Sequence, residues 1–296
     1  MSQAPAGLPP LGLRIGLNTA AAAIRGLGEL RYRLSDPVAN ATFALQRNRR
    51  RATIQNFREF FPGLTAKEAR RLAARSYREY GRTSIDFLYV HHLARGRVFA
   101  ELKSHGVEAN LVAHQRQGRP GILVMMHHGS WDVPAAVASA KGIQLTSVMT
   151  DEGSAVISEL VIWARREIGV TVVPMARSAS VLLRRIRAGG WVALLTDIPG
   201  SSPAVEVEFL GRKTLFSAAP ALLAARTGAP LVPATCVRRP QGGYLIEVHE
   251  PVAVEPDCAP AEALGRVIPV FEAAVRRWPE QWFPFREDLA LDLSSS

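Results

Sequence analysis

Beyond Gly118-Arg119-Pro120 the chain alternates short apolar runs with stretches of helical periodicity, and this alternation limits the possible folds more than any other feature. Runs at 122–127, 144–149, 170–175, 191–197, 205–210, 230–237 and 244–248 have strand length and are rich in Val, Ile and Leu. Helices fit at 132–140, 155–168, 178–188, 217–227 and 260–277. Apolar strands separated by helices predict a mostly parallel sheet buried on both faces. The expected fold class is therefore α/β, a mostly parallel central sheet flanked by helices, behind an N-terminal helical region. One domain over 1–296 is expected, with an N-terminal membrane-interface arm over 1–46 and an α/β core over 118–286.

The first third reads as helical. Over 11–34, Arg14, Asn18, Arg25 and Glu29 fall in one narrow polar stripe at about 100° per residue, and the rest is Leu, Ile, Ala and Gly. Such a helix suits a membrane interface, or equally the protein's own core. Arg47, Arg49, Arg50 and Arg51 follow, suited to lipid phosphate or to a solvated helix face. Thr65-Ala66-Lys67-Glu68 is a capping box, which predicts a helix over 66–80.

Charge narrows the range of partners. Lys and Arg number 36 against 26 Asp and Glu, a net charge of +10, so the surface seeks a polyanion: nucleic acid or an anionic lipid leaflet. No helix-turn-helix, zinc-finger or RNP-type pattern accompanies the charge, which disfavours nucleic acid. No apolar run reaches the roughly 18 to 20 residues needed to span a bilayer. The N-terminus also lacks the order of a secretory signal, so a cytoplasmic protein is expected. Cys236 and Cys258 have neither zinc-ligand nor disulfide spacing and read as plain thiols.

His127 ends an apolar run and precedes a predicted helix, which puts it at the carboxyl end of a strand, where open α/β sheets build their sites. Asp132 follows, with Gly129 between them permitting a tight turn. A carboxylate on one imidazole nitrogen supports the charge that develops when the other takes a proton, and no metal is needed. The spacing fits a general base, or simply a capped strand end with a satisfied histidine. His128 is expected to line the same site.

The segment Val124-Met125-Met126-His127-His128-Gly129-Ser130-Trp131-Asp132 resembles the His-x4-Asp/Glu motif of the lysophospholipid acyltransferase superfamily. Within it, the chain is similar to the branch of the lipid A lauroyl and myristoyl transferases and the phosphatidylinositol mannoside acyltransferases. That branch commonly reads His-Phe-Gly-Asn-Trp-Glu, so Gly129 and Trp131 match while His128, Ser130 and Asp132 depart conservatively. Leu194 to Asp197 with Pro199-Gly200, Val207 to Gly211, Ser217 to Ala221, Thr227 to Pro233 and Pro279-Glu280-Gln281-Trp282 match further motifs in order, over roughly 50–286.

The resemblance implies His127 as general base, Asp132 orienting it, and direct transfer of an acyl group from coenzyme A or acyl carrier protein to a glycolipid hydroxyl. It also implies Glu206 as a partner of the histidine, against the alternative of an exposed strand residue. Asp197 is expected either to meet the acceptor or to cap the next turn. Arg166 is a candidate phosphate ligand, Trp131 and His128 are substrate contacts, and no cofactor is required beyond the donor substrate. Expected partners are an anionic membrane surface, a glycolipid acceptor, and acyl-CoA or acyl carrier protein, at the cytoplasmic face of a bacterial inner membrane. A serine hydrolase is disfavoured because Ser130 lacks a Gly-x-Ser-x-Gly frame. An inactive, membrane-binding relative is the alternative that would keep the fold and the basic surface.

Overall fold

The computed structural model describes residues 26–93, 102–149, 155–287, 289 and 290, together with 16, 19 and 21–24. Arg14, Asn18 and Arg25, three of the four polar-stripe residues, lie outside the described residues.

The described residues before 27 are helical, and after a turn at 27–29 come three helices: α1 (Leu30–Leu45), α2 (Arg47–Phe60) and α3 (Ala66–Leu93). The capping box starts α3 as expected, since the Thr65 N–H donates to Glu68 Oε2 at 2.9 Å and the Glu68 N–H donates to Thr65 Oγ1 at 3.3 Å. The helix runs well past residue 80 because it keeps burying one face: Ala69, Leu72, Ala73, Ser76 and Tyr77, then Thr83, Asp86 and Val90. The single helix expected over 11–34 is broken by a turn at 27–29, where Gly28 has φ +52°; beyond it α1 runs past residue 34, through Pro37, and packs antiparallel to α3, with Asp36 bonded to Arg82 and Tyr32 to Asp86.

The α/β part contains β1 (Lys103–His105), a π-helical stretch (Val107–Val112) leading into α4 (Ala113–Arg116), β2 (Gly121–Met125), α5 (Asp132–Ala140), β3 (Leu145–Met149), α6 (Ala155–Glu167) and β4 (Thr171–Pro174). It continues with α7 (Ser178–Arg187), β5 (Trp191–Leu195), β6 (Ala204–Phe209), β7 (Arg212–Ser217), α8 (Ala219–Thr227), β8 (Leu231–Arg238), β9 (Tyr244–Val248), α9 (Pro260–Gly265) and α10 (Ile268–Arg277). The main sheet has seven strands in the order β1-β9-β8-β2-β5-β3-β4. From β8 to β4 the strands are parallel. β9 is antiparallel to β8, and β1 pairs parallel with β9. The α/β class, the mostly parallel sheet and the N-terminal helical region are thus all present.

Each β2 side chain serves one of two cores, as period-two alternation requires. Ile122, Val124 and Met126 join Phe57, Phe60, Phe209, Phe216 and Trp282 on one face. Leu123 and Met125 join α5 and Ala234 on the other. Gly121 is needed where β2 meets Trp191, because a Cβ there would lie 2.5 Å from the indole ring. β6 and β7 form a separate hairpin, so the apolar run at 205–210 is a strand outside the main sheet. The helix expected over 260–277 is instead two, α9 and α10, with Pro269 in the first turn of the second.

Candidate active site

Strands β2 and β5 are adjacent, with Met125 opposite Leu195, so the residues just beyond their carboxyl ends meet. His127 follows β2 and Asp197 follows β5. The Asp197 carboxylate accepts the backbone N–H of His127 at 3.1 Å and lies 2.9 Å from His127 Nδ1. An ionised carboxylate can only accept, so Nδ1 carries the proton and Nε2 presents a lone pair. The carboxylate side chain is 9% exposed and the imidazole 28%, a buried anchor behind an accessible ring.

This pairing corrects the expected one. Asp132 does not hold His127; as the first residue of α5 it receives Arg165 Nε of α6 at 2.9 Å, and both side chains are largely buried. Asp197 neither caps a turn nor stands free to meet an acceptor, because it is the carboxylate on His127. Glu206 lies on the β6–β7 hairpin, 49% exposed and paired with Lys213 at 2.7 Å, while the bond to the imidazole comes from Asp197. Arg166 is exposed on the last turn of α6.

His128 is also not where the sequence suggested. Its side chain is buried on the opposite side of the turn, Nε2 lies 3.1 Å from the Trp278 carbonyl, and Nδ1 has no partner among the described residues. Burial lowers its pKa to about 4, only partly offset by the Trp278 carbonyl and Asp197. Trp131, by contrast, packs edge-on against the His127 ring with centroids 5.1 Å apart, and Phe283 packs on Trp131.

The turn carrying His127 is clamped from three directions. Gly129 has φ +62°, and a Cβ there would sit 1.9 Å from the Cys236 carbonyl oxygen of β8, so no other residue fits without moving the backbone. The Gly129 N–H donates to the Gln281 carbonyl at 2.8 Å, the Ser130 N–H to the Cys236 carbonyl at 2.9 Å, and Thr83 Oγ1 to the Gly129 carbonyl at 3.2 Å. Gln281, itself buried, also grips β8: its side-chain amide accepts the Arg238 N–H and donates to the Arg238 carbonyl, each at 2.8 Å. Neither Arg165 nor Gln281 was singled out as a functional residue from the sequence. Gln281 carried a signal in its Pro-x-Gln-Trp match; Arg165 carried none beyond its place beside Arg166.

A narrow crevice opens beside Asp197, walled by Met126, Ile198, Phe209, Phe216, Trp282 and Phe283. Its free space is about 10 Å³, roughly that of one water.

Fold and site together define an α/β protein with a His–carboxylate pair at the strand ends. The model of the bacterial lipid A biosynthesis acyltransferases matches residues 18–289, and the chain belongs to that family. A phosphatidylinositol mannoside acyltransferase from Mycobacterium tuberculosis (strain CDC 1551 / Oshkosh) is 26% identical over 190 residues, which are 60% of this chain and 57% of that protein. The chain therefore matches little more than half the length of that relative. A phosphatidylinositol mannoside acyltransferase from Mycolicibacterium smegmatis is 24% identical over 229 residues, 76% of this chain and 73% of that protein. The crystal structure of a 1-acyl-sn-glycerophosphate (LPA) acyltransferase from Thermotoga maritima aligns with 87% of this chain and 99% of that one, at a TM-score of 0.45 and 16% identity.

Proposed function

We propose that this protein is a peripheral membrane acyltransferase that moves a fatty acyl group from a coenzyme A or acyl-carrier-protein thioester to a hydroxyl of a glycolipid. The observation that carries the reading is the His127–Asp197 pair, with Nδ1 anchored and Nε2 left to accept a proton, in a chain of this family. His127 Nε2 takes the proton of the acceptor hydroxyl as its oxygen attacks the thioester carbonyl carbon. The carbon–sulfur bond then breaks, and the proton held on the imidazolium passes to the departing thiolate. Asp197 keeps Nδ1–H pointed at itself and stabilises the transient imidazolium. The donor's cytoplasmic origin puts the reaction at the cytoplasmic face of a bacterial inner membrane.

Membrane association is supported by the +10 charge and by Leu30, Leu34, Val38 and Leu45, which stand exposed on α1. No helix among the described residues is long and apolar enough to cross a membrane. Cosedimentation with anionic vesicles tests this: equal binding to neutral vesicles would remove the electrostatic part of the argument.

The test of activity is transfer of labelled palmitate from palmitoyl-coenzyme A, or from acyl carrier protein, to a bacterial lipid extract. A labelled lipid made by the native chain and not by His127→Ala supports the reading. No product from either donor leaves the inactive membrane-binding relative as the better account.

A further inference from the structure

Between α1 and α3 lies an apolar groove of about 440 Å³, floored by Phe285 and walled by Leu34 and Val38 on one side and Tyr80 and Ile85 on the other. Its volume falls in the range of lipid and drug sites. It shares no lining residue with the crevice beside Asp197. We infer that this groove receives a hydrocarbon tail of the acceptor lipid, entering sideways from the bilayer. The inference rests on the reading of the protein as a lipid acyltransferase.

Three observations converge on that occupant. The outer wall of the groove is the helix that carries the exposed apolar stripe: Leu34 and Val38 both line the groove and stand 56% and 68% exposed. A tail can thus pass from the bilayer core into the groove without crossing water, which is open to an acceptor anchored in the membrane and closed to a donor arriving on a soluble carrier. An exposed arginine stands at the groove, the Arg49 guanidinium lying 5.3 Å from the Phe285 ring. A tail in the groove brings a lipid phosphate within reach of that cation.

The third observation is continuity with the catalytic histidine. Phe285 and Phe283 both pack on Tyr80 with centroids 5.2 Å apart, Phe283 packs on Trp131 at 6.3 Å, and Trp131 packs on His127 at 5.1 Å. An aromatic wall therefore runs from the floor of the groove to the base. An acceptor held by its tail in the groove has its head group delivered toward His127.

The experiment is photocrosslinking in phosphatidylglycerol vesicles containing phosphatidylglycerol with a diazirine on one acyl chain, and in parallel with diazirine-palmitoyl-coenzyme A without vesicles. Adducts are mapped by peptide mass spectrometry. Using His127→Ala protein makes labelling independent of turnover, so a failed acyltransferase reading and a failed groove assignment give different results. The expected result is lipid adducts within residues 24–46 and 77–85, reduced about tenfold by Ser84→Trp, the equivalent of about two methylenes excluded. In otherwise native protein, the same substitution raises the half-saturating concentration of lipid extract more than it lowers the maximal rate. Thr42→Phe, on the facing wall, gives the same reading should Ser84→Trp fail to fold. Adducts there from the coenzyme A probe alone, or no adducts there from either probe, overturn the assignment.

Discussion

Asp197 reaches His127 through the register of two neighbouring strands: Met125 on β2 lies opposite Leu195 on β5, and two residues further on the carboxylate holds both the backbone N–H and the ring Nδ1 of the histidine. One side chain thus fixes the position, rotamer and tautomer of the proposed base. Asp197→Asn keeps the shape but lets the imidazole turn, because the amide can donate where the carboxylate only accepts. The expected result is a fall in kcat of about a hundredfold or more, with little change in the half-saturating substrate concentration. Steady-state kinetics at saturating donor checks it, and an undiminished kcat in Asp197→Asn would sink the assignment.

Asp132 has a different task, joining α5 to α6 through Arg165 with both side chains nearly out of water, 11% and 13% exposed. Removing one partner strands the other as an uncompensated charge. Asp132→Ala should cost about 3 kcal/mol of stability, and Arg165→Met added to it should restore a measurable part. Denaturant unfolding of the two single variants and the double variant completes the cycle. Strict additivity would show that the pair is not coupled.

Much of the fold was legible because it depends on local pattern. Helix α5 lies at 132–140 as its periodicity predicts, and every apolar run became a strand within a few residues. What escaped had a weak local signal. Strand β1, Lys103–His105, is short, polar and exposed along its length, so neither alternation nor hydrophobicity marks it. Strand β7, Arg212–Ser217, opens with two exposed cations and gains its identity only by pairing with β6. At the site, nearness along the chain favoured Asp132 as the partner of His127, whereas the true partner is 70 residues away and is brought in by strand order. Sequence spacing contains no information about which strand lies beside β2, and that is why the carboxylate bonded to His127 could not be read from it.

His128 makes stability depend on pH in a stated direction. Its folded pKa is about 4, below the ordinary 6.5, because burial penalises the imidazolium. The unfolded chain therefore binds the extra proton first as pH falls. The stability held above pH 6.5 is lost progressively down to about pH 4, by about 3 kcal/mol in all. His128→Phe removes the titrating group from a buried site, so its stability should fall less than that of the native chain over this window. Parallel unfolding curves of the two proteins between pH 7 and 4.5 would refute the effect.

A buried polar cluster ties α1 to the body of the protein. Asp86 on α3 binds Arg238 and Tyr244, and it accepts the Tyr32 hydroxyl of α1 at 2.8 Å, with its side chain 1% exposed. Burial alone would lower the pKa of Arg238, yet Tyr244, Asp86, Tyr32 and Glu79 raise it well above its ordinary value, so the arginine stays charged. Asp86→Ala leaves that cation without its main counterion and should cost about 3 to 5 kcal/mol. Hydrogen exchange should then show α1 opening more readily than β2 or β5, since Tyr32 loses its anchor while the sheet keeps its ladder. Uniform loss of protection across the chain would count against a role specific to α1.

Gln281 links the turn carrying His127 to β8, and its effect on rate and on stability should be separable. The side-chain amide pairs with both backbone polar groups of Arg238, and the main-chain carbonyl of the same residue holds the Gly129 N–H. Gln281→Leu keeps the volume and strips both side-chain bonds, leaving a buried N–H and C=O of β8 unpaired at about 1 to 3 kcal/mol each. Because the residue holds the turn and lines neither the crevice nor the groove, the loss should appear in kcat, through misplacement of His127, more than in the half-saturating concentrations. Gln281→Glu tests the donor side: a carboxylate still accepts from the Arg238 N–H but sets an acceptor against the Arg238 carbonyl in a buried site, so kcat should fall at least as far as in Gln281→Leu. If Gln281→Leu unfolds at lower denaturant while its kcat matches the native value, the clamp stabilises the fold without positioning the base.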